Sequence, residues 1–194
     1  MEATDGRQAR SRRTRAAVAE AMLDCLEDGE LRPSAKQVAE RAGVSSRAVF
    51  RHFENMEALL DQAAQLQIER VLNELPPIAT QGPLEERIDA LVLHSVRRNE
   101  ITSPVRRAAD LAEPFSKTIR ERHAWAHGIA RRQVREVFAK ELAALSEAER
   151  KERIAALRAL LSFGYWNELR RHERLSSAAA SRILRAAVQA MLCE

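Results

Sequence analysis

Residues 35–52 read AKQVAERAGVSSRAVFRH, and three positions in that stretch restrict the fold more than any other feature. Ala39 is small enough to let two short helices cross closely. Gly43 supplies a left-handed turn residue without steric cost, and Val49 is the aliphatic that closes the second helix onto the first. A small residue, a glycine and an aliphatic at this spacing predict a helix-turn-helix, a unit that places its second helix in the major groove of DNA. The flanking residues agree. Ser34-Ala-Lys-Gln37 reads as a capping box, Val38, Ala39 and Ala42 as an apolar stripe, and Ser45 as the cap of a helix running to about His52. Upstream, Val18, Ala21, Met22, Cys25 and Leu26 repeat at helical spacing until Gly29. Three helices sharing one core are therefore predicted from about Ser11 to Phe53.

The rest of the chain also reads as helix. Asn55 caps a segment carrying Leu59, Leu60, Ala63, Leu66, Val71, Leu72 and Leu75, which Pro76-Pro77 ends. Gly82-Pro83 opens a helix with Ile88, Leu91, Val92 and Val96. Ser103-Pro104 is expected to open a short helix, and Pro114 a long one through Phe138. Ser146-Glu-Ala-Glu149 is a second capping box, starting a helix expected to run through Leu169, and Ser176 caps the last helix. All six prolines thus fall at predicted helix boundaries, and no alternating strand pattern or repeat is present. The prediction is an all-α chain of about nine helices. Residues 1–55 would form a helix-turn-helix domain with a basic N-terminal arm, and residues 56–194 a larger helical domain.

Thr14-Arg15, Val18, Ala21, Leu26, Gly29, Ser34, Val38-Ala39, Ala42-Gly43-Val44-Ser45, Phe50-Arg51-His52-Phe53 and Glu57-Ala58-Leu59-Leu60 together resemble the N-terminal domain of the tetracycline-repressor (TetR) family. The resemblance covers the first third of the chain by motif and the remainder by helical layout. It implies a DNA-binding regulator with an effector cavity in the second domain, among the helices from about Leu84 to Tyr165. Against the family pattern, Phe50 stands at a tyrosine position, Arg47 replaces a small residue, Ala48 a threonine and Met56 a phosphate-contacting lysine. The operator sequence of a relative therefore does not transfer.

The sign of the charge favours nucleic acid only slightly, and its distribution says more. The chain of 194 residues carries a formal charge of +4, with 45% hydrophobic and 31% charged residues, as in ordinary globular proteins. Arg7, Arg10, Arg12, Arg13 and Arg15 form a run without an acid before the first helix, read as an arm that reaches the phosphates or the minor groove. Ser46, Arg47 and Arg51 are the candidates for base edges, because arginine bonds guanine O6 and N7 in bidentate fashion. Phe50 is expected at a sugar or thymine methyl, and Ser34, Ser45 and His52 at phosphates. His123 and His127 lie one turn apart, but they lack a third ligand and sit near Arg122 and Arg131, so no metal site is expected. No phosphate loop, nucleophile elbow or cysteine cluster appears, so neither catalysis nor a cofactor is expected. Cys25 and Cys193 form no disulfide framework, the N-terminus lacks a signal-peptide h-region and no apolar run reaches the length of a membrane span. These features predict a cytoplasmic location with no membrane partner.

The last two helices carry more apolar surface than one core requires. Leu157, Leu161, Gly164, Tyr165, Ile183, Ala187, Val188 and Met191 are the expected homodimer contacts, giving a symmetric pair of reading heads. The expected effector, an unidentified small molecule, would meet His94, Arg98, Phe115, Trp125 and Trp166. The competing expectation is an architectural protein that binds DNA without an effector.

Overall fold

The structure, a computed structural model, describes residues 2–192, with side chains described for 6–192. Within them the chain forms ten α-helical segments and no strand. The order is α1 (Glu2–Glu27), α2 (Ala35–Arg41), α3 (Ser46–His52), α4 (Met56–Glu74), α5 (Leu84–Ala112), α6 (Lys117–Val137), α7 (Ala139–Ala143), α8 (Glu147–Leu160), α9 (Phe163–Asn167) and α10 (Ser177–Ala190). A single 3₁₀ turn covers Glu113–Phe115, and a π-helical turn, Glu168–His172, continues α9. Cys193 lies outside the described residues.

Packing divides the chain into two units, residues 1–73 with 104–120 and residues 74–103 with 121–194. The first unit is therefore larger than the helix-turn-helix domain ending at residue 55. Its core joins Val18, Leu23 and Leu26 of α1 to Val38, Ala39, Val49 and Phe53, then to Leu59, Leu60 and Ala63 of α4 and to Val105, Ala108 and Ile119. The second core gathers Ile88, Leu91, Val134, Phe138, Ile154, Leu157, Trp166, Leu184 and Val188. A buried Arg87 guanidinium serves this unit, holding the Glu141 carboxylate in a fork at 2.6 and 3.0 Å while also donating to the Val137 carbonyl. That contact keeps the Glu141 carboxyl below the usual carboxylate range.

Three local expectations are corrected. Pro104 does not open a helix but lies inside α5. Proline in a helix interior costs about 3 kcal/mol. Burial on both sides of it, of Leu91, Val92 and Val96 before and Val105 and Ala108 after, outweighs that cost at roughly 1.5–3 kcal/mol per large aliphatic. The helix from Ser146 does not run on to Leu169, because Ser162 caps a new segment, its Oγ accepting from Tyr165 N–H at 3.3 Å. The arginine run does not precede the first helix, since residues 7–15 belong to α1.

Candidate nucleic-acid interface

The turn between α2 and α3 is built as its sequence requires. Ser34 Oγ accepts from Gln37 N–H at 3.3 Å while the Gln37 side chain accepts from Ser34 N–H at 2.8 Å, so the capping box is closed. At the other end Gly43 takes φ +65°, Val44 N–H bonds to the Ala39 carbonyl at 2.9 Å and Gly43 N–H to Glu40 at 3.3 Å. These paired bonds use carbonyls that the helix end would otherwise leave unmet. Ser45 then caps α3, accepting from Ala48 N–H at 3.2 Å. Val38, Ala39 and Val49 are buried where the two helices cross, so the direction of α3 is fixed by the core beneath it.

That core leaves one face of α3 in water. Val49 is its only buried residue, while Arg47, Phe50 and Arg51 are exposed at positions three and four apart. Phe50 keeps 52% of its surface exposed, an arrangement that serves no purpose in packing. Neither Arg47 nor Arg51 makes an ion pair or side-chain hydrogen bond within the described residues, and the same holds for Arg12 and Arg13, exposed on α1. Other basic groups nearby are committed. Arg41 pairs with Asp28, Lys36 lies 3.9 Å from Glu40, and Arg15 donates to the His52 carbonyl and to Gln62 while lying over the Phe53 ring at 4.3 Å. Ser46 is half-buried, and Ser34 and Ser45 are exposed. The Ser45 hydroxyl accepts its capping bond and keeps its own hydrogen for an outward acceptor.

His52, expected at a phosphate, is half-buried. Its Nε2 is buried and without a partner, and its backbone carbonyl is held by Arg15. Burial, with Arg51 and Arg15 close by, lowers the imidazole pKa and so favours the neutral ring. The contribution of Arg15, which locks the end of α3 to α1, went unread in the sequence. The Thr14-Arg15 pair of the family pattern was its available signal.

Of the five candidate effector residues, His94 and Arg98 stand one turn apart on α5, with the Arg98 charge close enough to act on the His94 ring. Trp166 belongs to the core of the second unit at 3% exposure, with the Arg170 guanidinium 5.6 Å from its ring centre. Trp125 is exposed on α6, and Phe115 belongs to the first unit. His94 is buried with Nδ1 2.9 Å from the Pro76 carbonyl, and Arg98 donates to the Leu161 carbonyl at 2.9 Å. Asn99, which the sequence did not single out, is buried beside it within 3.4 Å of the Leu161 and Ser162 carbonyls. His123 is buried and His127 exposed, their ring centres 6.5 Å apart. Of the expected dimer contacts, Leu157, Leu161 and Val188 are buried in this chain's own core. Gly164 and Ile183 are exposed, with Tyr165, Ala187 and Met191 half-buried.

The model of bacterial regulatory proteins of the tetR family matches residues 32–63, which contain the whole of α2, the turn and α3. No curated protein matches the chain. A solved transcriptional regulator from Rhodococcus sp. Rha1 is similar with a TM-score of 0.71 at 20% identity, covering 92% of this chain and 95% of that one. A candidate transcriptional regulator from Pseudomonas aeruginosa PAO1 is similar with a TM-score of 0.64 at 17% identity, covering 92% and 90%. At such identities the likeness carries the fold alone, and no helix among the described residues is long and apolar enough to cross a membrane. The segment similar to the bacterial regulatory proteins of the tetR family is thus the one that presents the exposed arginine face of α3.

Proposed function

We propose that the protein is a cytoplasmic homodimer that represses transcription from a pseudo-palindromic operator and is released by a small-molecule effector. One observation carries the reading: α3 holds Arg47, Phe50 and Arg51 in water on a helix whose opposite side is locked into the core. Uncommitted guanidinium groups on such a helix suit guanine edges, and the exposed ring suits a thymine methyl or sugar. Arg12 and Arg13 add sequence-independent attraction for phosphates. Two-fold symmetry of the protein would be mirrored in the operator. Repression and release rest on proportion, because a reading head of some fifty residues leaves far more chain than dimerisation needs.

Selection of bound fragments from random DNA tests this. Enrichment of an inverted repeat supports an operator; retention without enrichment supports an architectural protein with no effector.

A further inference from the structure

The first unit holds an open cleft of about 350 Å³, within the range of roughly 300–1,000 Å³ that small-molecule sites occupy. Its walls are apolar: Met22 of α1, Met56 and Leu60 of α4, and Ala108 and Ala112 near the end of α5. At its edge stand Phe115, 85% exposed, and Leu111, 42% exposed. Adjacent large apolar side chains left in water around a concave surface mark a place that something covers.

The polar groups of the lining define what that is. The Glu57 carboxylate is committed, accepting from the buried Ser116 hydroxyl at 2.5 Å and lying in the first turn of α4, where a negative charge is favoured. Ser116 Oγ in turn accepts from Ile119 N–H at 3.0 Å. Arg32 differs. Its backbone N–H bonds to the Glu30 carboxylate, but its guanidinium has no ion pair or hydrogen bond among the described residues. Among the described residues lining the cleft, Arg32 is thus the cation and is exposed, while Glu57 is half-buried and holds the Ser116 hydroxyl.

We infer that this cleft is a binding site for an amphipathic anion, whose apolar body fills the cleft and whose carboxylate or similar group pairs with Arg32. Arg32 and Pro33 directly precede the Ser34 cap of α2, so an occupant touches the segment on which the reading head is mounted. The site stands on the cleft and its lining, and not on the operator reading.

Methionine-methyl NMR on the full chain tests it, with decanoate as the probe and decanol as its neutral counterpart. Decanoate should shift the Met22 and Met56 methyl signals and leave Met191, in the second unit, unmoved. Arg32 is exposed, so Arg32→Gln keeps the fold; it should weaken decanoate roughly fivefold or more, as loss of a charge-assisted bond does, with decanol unchanged. Immobile Met22 and Met56 signals at millimolar decanoate would overturn the inference, as would equal affinity of the wild-type chain for decanoate and decanol. Shifts of those two signals with protein concentration alone would assign the cleft to a second copy of the chain and overturn it as well.

Discussion

Arg47 and Arg51 occupy the same face of α3 one turn apart, but only Arg47 lies in the first turn, where a helix lying in the major groove brings side chains nearest the base edges. Arg47→Ala should therefore relax base preference at one position of each half-site and cost about 1–3 kcal/mol on the selected operator, measured by competition against single-base variants. Equal weakening on operator and random DNA would make Arg47 a phosphate contact instead. A different residue contributes to the acid side of stability. Burial lowers the His94 pKa, opposed by its bond to the Pro76 carbonyl and reinforced by Arg98. The unfolded chain binds this proton at the ordinary value of about 6.5, before the folded chain does, so stability is complete above that pH and falls as pH drops through the folded value. His52 acts in the same direction. Thermal melts should show the midpoint falling below about pH 6.5 and a shallower fall in His94→Gln; identical slopes would place the effect elsewhere.

At the scale of elements, caps were the most legible part of this chain. Ser34 with Gln37, Ser146 with Glu149, Asn55, Ser176, Gly29 and Gly43 each bond or turn as their residue types require, because capping is decided within four residues. Features decided by distant packing were not legible. Pro104 stays helical because of what α5 buries on either side of it, and the break at Leu161–Ser162 coincides with carbonyls that Arg98 and Asn99 take up from sixty residues away in the chain. The arginine run was legible as charge but not as helix. Its helical form places Arg12 and Arg13 on a rigid element rather than on a strand of free chain, and both remain exposed and uncommitted. Replacing both with glutamine should weaken binding to all DNA sequences and reduce the slope of log affinity against log salt by about 0.9 per lost phosphate contact. An unchanged slope would show that these arginines stay in solvent when DNA is bound.

For the whole molecule, the proposed function requires pairing two reading heads and controlling them together. Three of the eight expected dimer contacts serve this chain's own core, which narrows the available face to Gly164, Ile183 and the half-buried Tyr165, Ala187 and Met191. Ile183, 38% exposed on α10, is the large apolar residue of that group most open to a partner. Light scattering should return twice the 21.9 kDa chain mass, and Ile183→Arg should return the chain mass with loss of affinity for a two-half-site operator. A wild-type monomer at concentrations well above those of DNA binding would remove the symmetric model. Control by an effector adds a thermodynamic requirement that does not depend on where the ligand sits. A ligand that releases the protein must bind one conformation better than another, and coupling of about 1–3 kcal/mol changes operator affinity roughly 5–150-fold. By linkage, operator DNA must weaken that ligand by the same factor. Trp125, exposed, and Trp166, buried, allow both arms to be followed by intrinsic fluorescence during a screen of hydrophobic and anionic metabolites. Matching factors in the two directions would establish release by an effector. Ligands that bind the protein and leave operator affinity unchanged would leave DNA recognition intact and remove effector control, because binding without a preference between conformations shifts no equilibrium, however tight it is.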